Sequence, residues 1–318
     1  LPPSSPPPSA PPPAQPPSTP PSIASTGGAT ADVHMESLKG GKFDIRGVAG
    51  KVYAILSAPL LALSARFEYG TFKLPRSDLR SSIIKKMHGS FLSEMFMTMR
   101  LPSSSVLRVH YAASAPDTAE VMVQNFDTKL SFSESKELIL QYGSTSRGNF
   151  ENVVHMAIVE ASPNQKQRFA LKVTDGAWNI SVTTGSYRST DDRLRRFLNV
   201  KITPLAAAFA DPIAPHGLIG QSLHDLFAVQ GKIDDYVAND AGEYTTSAQG
   251  EGAIQGTLED YEIQGEPFSA KFVYSRFGST KGPRRDVALL SGKRMPIGKH
   301  YAAGALGDSP SEDEAAIL

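Results

Sequence analysis

Cysteine is missing altogether, and tryptophan occurs once. The first absence excludes disulfides and zinc–thiolate centres. It does not exclude an oxidising compartment, because a large core holds without cross-links. Neither sign of charge predominates. Lys+Arg and Asp+Glu each total 32, giving zero net charge, and no nucleic-acid partner is expected where a basic excess is lacking. No apolar run reaches the ~18–20 residues of a membrane span. The longest candidate, Val52 to Ala65, is short and broken by Pro59. The chain opens on Leu1, so a processed or truncated start is expected; no signal peptide is visible in it, and none is excluded upstream.

What is abundant is proline, and it is concentrated. Half of the 24 prolines fall between Pro2 and Pro21. Proline fixes φ and lacks an N–H donor, so neither helix nor sheet propagates there. Residues 1–29 are therefore expected to be a disordered Pro/Ser stalk or linker, extended at about 3.1 Å per residue in polyproline geometry. Pro-x-x-Pro spacings also suit SH3-like partners. At this proline density such spacings are unavoidable, which favours a spacer.

From Lys42 onward apolar residues recur at period 2, the pattern of half-buried strands. Phe43 and Ile45 alternate with Asp44 and Arg46, and Leu61, Leu63, Ala65 and Phe67 share one parity. Phe91, Met95, Met97 and Met99 are expected on one face, opposite Leu92, Glu94, Phe96 and Arg100. Leu107/Val109/Tyr111, Val121/Val123, Phe169/Leu171/Val173, Trp178/Ile180/Val182, Leu198/Val200/Ile202 and Phe272/Tyr274 continue the alternation. Turn signals recur every 10–15 residues. The fold class is thus all-β, an antiparallel β-sandwich or a large curled sheet. Helix is expected only in short pieces, Ser77–Met87 and Asp191–Arg196. The domain is expected to cover 30–280. Residues 281–318, glycine-rich with mixed charge blocks, read as a loosely ordered tail, in which Arg284-Arg285 and Lys293-Arg294 are dibasic pairs.

Three stretches in order carry a resemblance. In residues 31–67, Asp32, His34, Phe43, Asp44, Gly47, Ala65, Arg66 and Phe67 occupy matching places in the opening of von Willebrand factor type D-like domains of the plant root-cap-type branch. Residues 214–223, APHGLIGQSL, resemble the His-Gly-Leu-Leu-Gly-Gln segment of those domains and of the C-terminal regions of inter-alpha-trypsin inhibitor heavy chains. Residues 253–277 resemble the root-cap-type closing segment. Ala31 and Val33 depart from the Gly-Asp-Pro-His pattern, and the cysteines of the family are missing, so disulfide-linked multimers are not implied. The resemblance implies a von Willebrand D-like β domain, an extracellular or cell-surface location, and an adhesive or structural role without catalysis.

Candidate chemistry is sparse. His216, Gly217, Gly220 and Gln221 form the sharpest constellation: two glycines permit tight backbone geometry, and His216 and Gln221 are placed to pin such a turn. A buried structural turn is the expectation; a ligand site is the alternative. His216 and His224 are eight apart, too far for a helical zinc pair, so a metal there would need remote ligands such as Asp32 or His34. Gly220-Gln221-Ser222-Leu223-His224 has the outline of a nucleophile elbow, but His224 fills the position of its second glycine. Glu259-Asp260 and Asp234-Asp235 are carboxylate pairs of the type calcium takes, without the accompanying loop pattern, and are expected to be solvated turn charges. No cofactor is expected, with calcium the alternative. Asn179-Ile180-Ser181 is the one N-glycosylation sequon, with Asn179 facing outward from a strand. The expected function is a non-enzymatic structural component of a cell wall, matrix or surface assembly. A carbohydrate- or protein-binding module is the alternative, and a glycan-active hydrolase the third reading. Expected partners are other matrix or surface proteins and glycans, in homo- or hetero-assemblies.

Overall fold

The computed structural model describes residues 26–74, 85–101, 105–123, 126–133, 136–142, 152–161, 168–234 and 243–280. The stalk through residue 25, the tail from 281 with its dibasic pairs, and residues 77–84 of the expected first helix lie outside the described residues.

The protein is all-β, and among the described residues its strands form a 15-stranded sheet. Its N-terminal strands are β1 (Gly27–Thr30), β2 (His34–Glu36), β3 (Lys42–Asp44), β4 (Val52–Ser57), β5 (Leu61–Leu74) and β6 (Lys85–Arg100). Next come β7 (Val106–Ala112), β8 (Thr118–Val123), β9 (Phe126–Ser131), β10 (Glu137–Tyr142) and β11 (Asn152–Glu160). The last are β12 (Phe169–Thr174), β13 (Trp178–Arg188), β14 (Leu194–Pro204) and β15 (Glu243–Thr245). The main path runs β10-β11-β12-β13-β14-β6-β7-β8-β9. All pairings of these strands are antiparallel except that of β15 with β6.

The long strand β6 is the branch point. One edge pairs with β5 along nearly its whole length, while the other is shared in succession by β15, β14 and β7. Phe132, just beyond β9, packs on Phe169 at the start of β12, ring centroids 5.0 Å apart. That contact brings the β9 end of the strand order against β12, third from the other end, and curls the sheet. Alternation supplies the core: Leu107, Val109 and Tyr111 of β7, Met156 and Ile158 of β11, Ile180 and Val182 of β13, and Val200 and Ile202 of β14 are all buried.

The regular period fails in one instructive place. β6 carries a bulge: Arg66 pairs with Glu94 but Phe67 pairs with Leu92, leaving Ser93 as the extra residue. A one-residue slip reverses the faces of everything beyond it. Leu92 therefore joins Met95, Met97 and Met99 in the main core, and Phe91 goes to the opposite face. There Phe91 stacks on Tyr187 at 4.5 Å and meets Phe197 and Phe72 at 5.3 and 5.7 Å. The expected grouping of Phe91 with the methionines is corrected by that insertion.

Four further expectations are corrected. The sheet begins inside the stretch assigned to the stalk, because Gly27, Gly28 and Ala29 of β1 pair with Ile202, Lys201 and Val200. Asp191–Arg196 is not helical: a turn at 190–192 leads into β14, since Leu194, Arg195 and Arg196 pair with β13. Lys85–Met87 likewise extend β6. Phe272 and Tyr274 lie in turns, not in a strand, and pack against the ring of His216. Among the described residues helix is confined to Ala206–Ala210 and two 3-10 turns, Gly220–Ser222 and Leu258–Tyr261. Among them, too, no helix is long and apolar enough to cross a membrane.

Two outcomes are expected from this architecture. Removing residues 1–25 should shift the melting temperature by no more than about 2–4 °C, the equivalent of about 1 kcal/mol, whereas removing 1–30 should lower it further by stripping β1 from β14. Gly185 lies against the face of the Phe197 ring, inside the distance any Cβ would need. Gly185→Val should cost about 1–3 kcal/mol of overpacking in a urea titration.

Candidate functional site

The segment around His216 is built as an edge closure. All six residues of β4 are buried, and a buried strand must have its backbone groups paired on both sides. One side is β5. On the other, Ser57 and His216 exchange both backbone bonds, at 2.7 and 2.8 Å. Leu218 and Ile219 then donate to the carbonyls of Ala54 and Ile55, at 2.9 and 3.0 Å. Gly217 makes this course available. Its φ is +100°, and a Cβ would lie 2.7 Å from the Ile55 carbonyl oxygen. Gly220 differs: its backbone is not left-handed, and what excludes a side chain is Leu56 Cδ1, 2.7 Å from where a Cβ would be.

The polar side chains of the segment tie it to residues 253–274. A backbone N–H can only donate, so the 2.9 Å bond from Gly217 N–H makes His216 Nδ1 the acceptor. The imidazole thus carries its proton on Nε2 and faces Gln255 Oε1 at 3.2 Å. Its ring stacks on Tyr274 at 4.6 Å and lies 5.8 Å from Tyr261. Gln221 Oε1 accepts from the Tyr261 hydroxyl and the Gln255 N–H, at 3.0 and 3.1 Å, and its amide donates to the Leu218 carbonyl. Ser222, the hydroxyl at the centre of the elbow-like sequence, accepts from Leu38 N–H at 2.8 Å and donates to the Ile219 carbonyl at 2.7 Å. The structure therefore brings together all four residues singled out in sequence, and joins them to Gln255 and Tyr261, which were not, and to Tyr274, expected only as a strand residue.

A second constellation lies where the first resembling stretch folds up. Asp32 sits in the β1–β2 turn between two residues of positive φ, Ala31 at +47° and Val33 at +27°. Backbone held there by a β-branched residue stores strain. Asp32 is 7% exposed. Its Oδ1 accepts from Ser90 N–H at 2.6 Å, while Oδ2 is buried without a hydrogen-bond partner among the described residues. Gly89 lies directly against the carboxylate, where any side chain would collide. Asp44, 1% exposed, meets His34 Nδ1 at 2.7 Å through Oδ1 and accepts from Asp234 N–H at 2.8 Å through Oδ2. Asp234 Oδ1 in turn accepts from the N–H groups of Ser247 and Ala248, at 2.6 and 2.9 Å.

Burial pushes the Asp32 carboxyl up to about 6, against the Ser90 N–H and the His34 charge, which pull it down. His34 is raised above the usual histidine value, chiefly by its hydrogen bond to Asp44, against the cost of burial. Two expectations fail here. Asp44, expected to face solvent, and Asp234, expected as a solvated turn charge, are both buried, because backbone N–H groups from distant loops reach them. Asp235 lies outside the described residues. Of the other pair, Asp260 caps the 3-10 turn Leu258–Tyr261 in a reciprocal capping box with Thr257, a Thr-x-x-Asp signature legible in sequence. Among the described residues no three His, Asp or Glu side chains gather as metal ligands. Asn179 is exposed on β13.

No protein-family model matches the chain, and no curated protein matches it.

His216→Ala should destabilise by about 1–3 kcal/mol, because Gly217 N–H and Gln255 lose their partner. Gly217→Ala should cost at least as much, from strain at positive φ together with the Ile55 collision. Chemical denaturation of both variants, with and without added calcium, checks this. A ligand-site role would show instead as unchanged stability with loss of a calcium-induced shift.

Proposed function

We propose that the protein is a non-enzymatic structural module of an extracellular matrix, cell wall or cell-surface assembly, carried on its Pro-rich head. One observation carries the reading. The imidazole, amide and hydroxyl of His216, Gln221 and Ser222 are all engaged in hydrogen bonds that tie segments of the fold together. A nucleophile must be free to attack and its base free to take a proton; side chains occupied in this way serve the fold. The von Willebrand D-like resemblance, with its extracellular and adhesive relatives, supports the same reading, as does the sequon at Asn179 on an exposed strand position.

A second reading, a protein-binding module, is favoured by Leu226 and Phe227, consecutive apolar residues 78% and 73% exposed. Exposed large apolar side chains of this kind suit a protein partner within such an assembly. They suit a glycan less well, since sugar recognition would draw on tyrosine or tryptophan faces.

The protein isolated from its native source provides the test. Intact-mass and glycopeptide analysis should find hydroxyproline or O-linked sugars on the head and a glycan on Asn179, in a secreted or wall-bound fraction. An unmodified protein in a cytosolic fraction would overturn the location. Incubation with ester and glycoside substrates should give no turnover above buffer; turnover abolished by Ser222→Ala would overturn the non-enzymatic reading. Leu226→Asp with Phe227→Asp should weaken association, read by sedimentation, by tenfold or more at a binding hot spot, while the melting temperature stays within about 2–4 °C.

A further inference from the structure

We propose that Asp32, His34, Asp44 and Asp234 form an acid-tightened latch, which fastens the β1–β3 segment to β6 and to the segment carrying Asp234 in mildly acidic surroundings and loosens toward alkaline pH. The inference is independent of the function proposed above; it rests on how these four groups are placed.

The four side chains come from separate pieces of the polypeptide. Asp32 lies in the β1–β2 turn, His34 on β2, Asp44 at the end of β3, and Asp234 beside Ser247 and Ala248, whose N–H groups donate to it. From β6, Gly89 and Ser90 face Asp32 with backbone and a hydroxyl only, and that hydroxyl donates to the Gly47 carbonyl. His88, next along β6, is paired with Glu243. Lys42 and Arg46 are the cations nearest Asp44 in sequence: Lys42 is exposed on β3, and Arg46 donates to the Thr246 carbonyl and lies over the Tyr69 ring. The charged neighbours that act on Asp32 are His34, Asp234 and Asp44.

Protonation resolves the conflict within this group. With Asp32 neutral, its Oδ2 no longer carries buried charge, and with His34 cationic, Asp44 has an ion-pair partner at 2.7 Å. With both deprotonated, the buried Asp32 charge is opposed by those of Asp44 and Asp234 without a cationic imidazole to offset them. His34 is 46% exposed at its side chain, so it offers solvent protons a way to the cluster, and its own contribution is screened. The latch also has something to release: Ala31 and Val33 hold strained backbone on either side of Asp32.

The direction follows from linkage. Asp32 titrates near 6 in the folded protein against 3.8 when free, so between those values the folded state holds a proton that the opened state gives up. Stability from this group is therefore present at low pH and declines as pH rises from about 4 toward 6, remaining lost above that. His34, raised by its partner, adds stability below its unperturbed value that is lost as pH rises through its folded value. The two act in the same sense. The element they hold is the one that joins the Pro-rich head to the sheet, since β1 starts at Gly27.

Amide hydrogen exchange on the full-length protein, corrected for intrinsic rates, tests the latch at pH 5 and pH 7.5. The opening equilibrium of residues 27–45 should rise about tenfold over that interval from Asp32 alone, while β7, residues 106–112, changes much less. Asp32→Asn should remove most of that tenfold difference, and His34→Gln should reduce what remains. Equal opening at both pH values, greater opening at pH 5, or the same pH dependence in Asp32→Asn would each overturn the proposal. Should Asp32→Asn fail to fold, the wild-type comparison of 27–45 with 106–112 still decides, because a change shared equally by both regions would report global rather than local titration and would also overturn it.

Discussion

A strand buried along its whole length must have hydrogen bonds on both edges, and for β4 only one edge is supplied by a neighbouring strand. The other is closed by the backbone of His216, Leu218 and Ile219, with Ile263 N–H reaching the Val52 carbonyl farther along. Much of the C-terminal third is arranged around this requirement. Gly217 turns the backbone into line, His216 and Gln221 clasp the residues near Gln255 and Tyr261, and Phe272 and Tyr274 cover the imidazole. Unpaired backbone groups at that depth would cost about 1–3 kcal/mol each, so residues with little regular structure of their own are held as firmly as strands.

The sheet has two packed faces, and the bulge at Ser93 determines which residues serve each. Inside the curl, the methionines of β6 meet Tyr111, Val109 and Leu107 of β7 across the ladder. Outside, Phe91, Tyr187, Phe197 and Phe72 form a separate aromatic cluster over Gly185. Farther along the outer face, residues 264–272 lie over β5 and β6: Ser64 donates to the Pro267 carbonyl, Thr98 to the Phe268 carbonyl, and Phe96 meets Phe268 edge-on at 5.3 Å.

Against this background the Asp32 cluster stands out, because acidic groups are buried together there. Other buried polar side chains hold backbone in neutral pairings. Tyr111 donates to the Pro116 carbonyl at 2.6 Å, and Ser222 serves as donor and acceptor at once. At Asp32 a carboxylate oxygen is buried without a hydrogen bond among the described residues, beside two further carboxylates. Low local dielectric makes such a group costly when charged and tolerable when protonated, which is why the chemistry of this corner is tied to pH and that of the His216 segment is tied to shape.

The all-β class, the inward residues of most strands, and the tight backbone course between His216 and Gln221 are legible in the amino-acid order alone, because each is written in local spacing: period 2 for strands, paired glycines for a tight turn. The proline-dense opening is equally legible, although its boundary is not, since Gly27–Thr30 has no apolar alternation and becomes a strand only by pairing with β14. Other features exist only once distant segments meet. The Ser93 bulge leaves no composition signal, yet it reverses the face of Phe91. Asp191–Arg196 has helix-compatible residues, but its strand form depends on β13 alongside it. Asp44 and Asp234 look like solvent-facing charges because burial of a carboxylate depends on which distant N–H groups arrive to meet it. For Asp44 that donor comes from 190 residues away, a separation at which local sequence carries no information and only the closed fold brings donor and acceptor together.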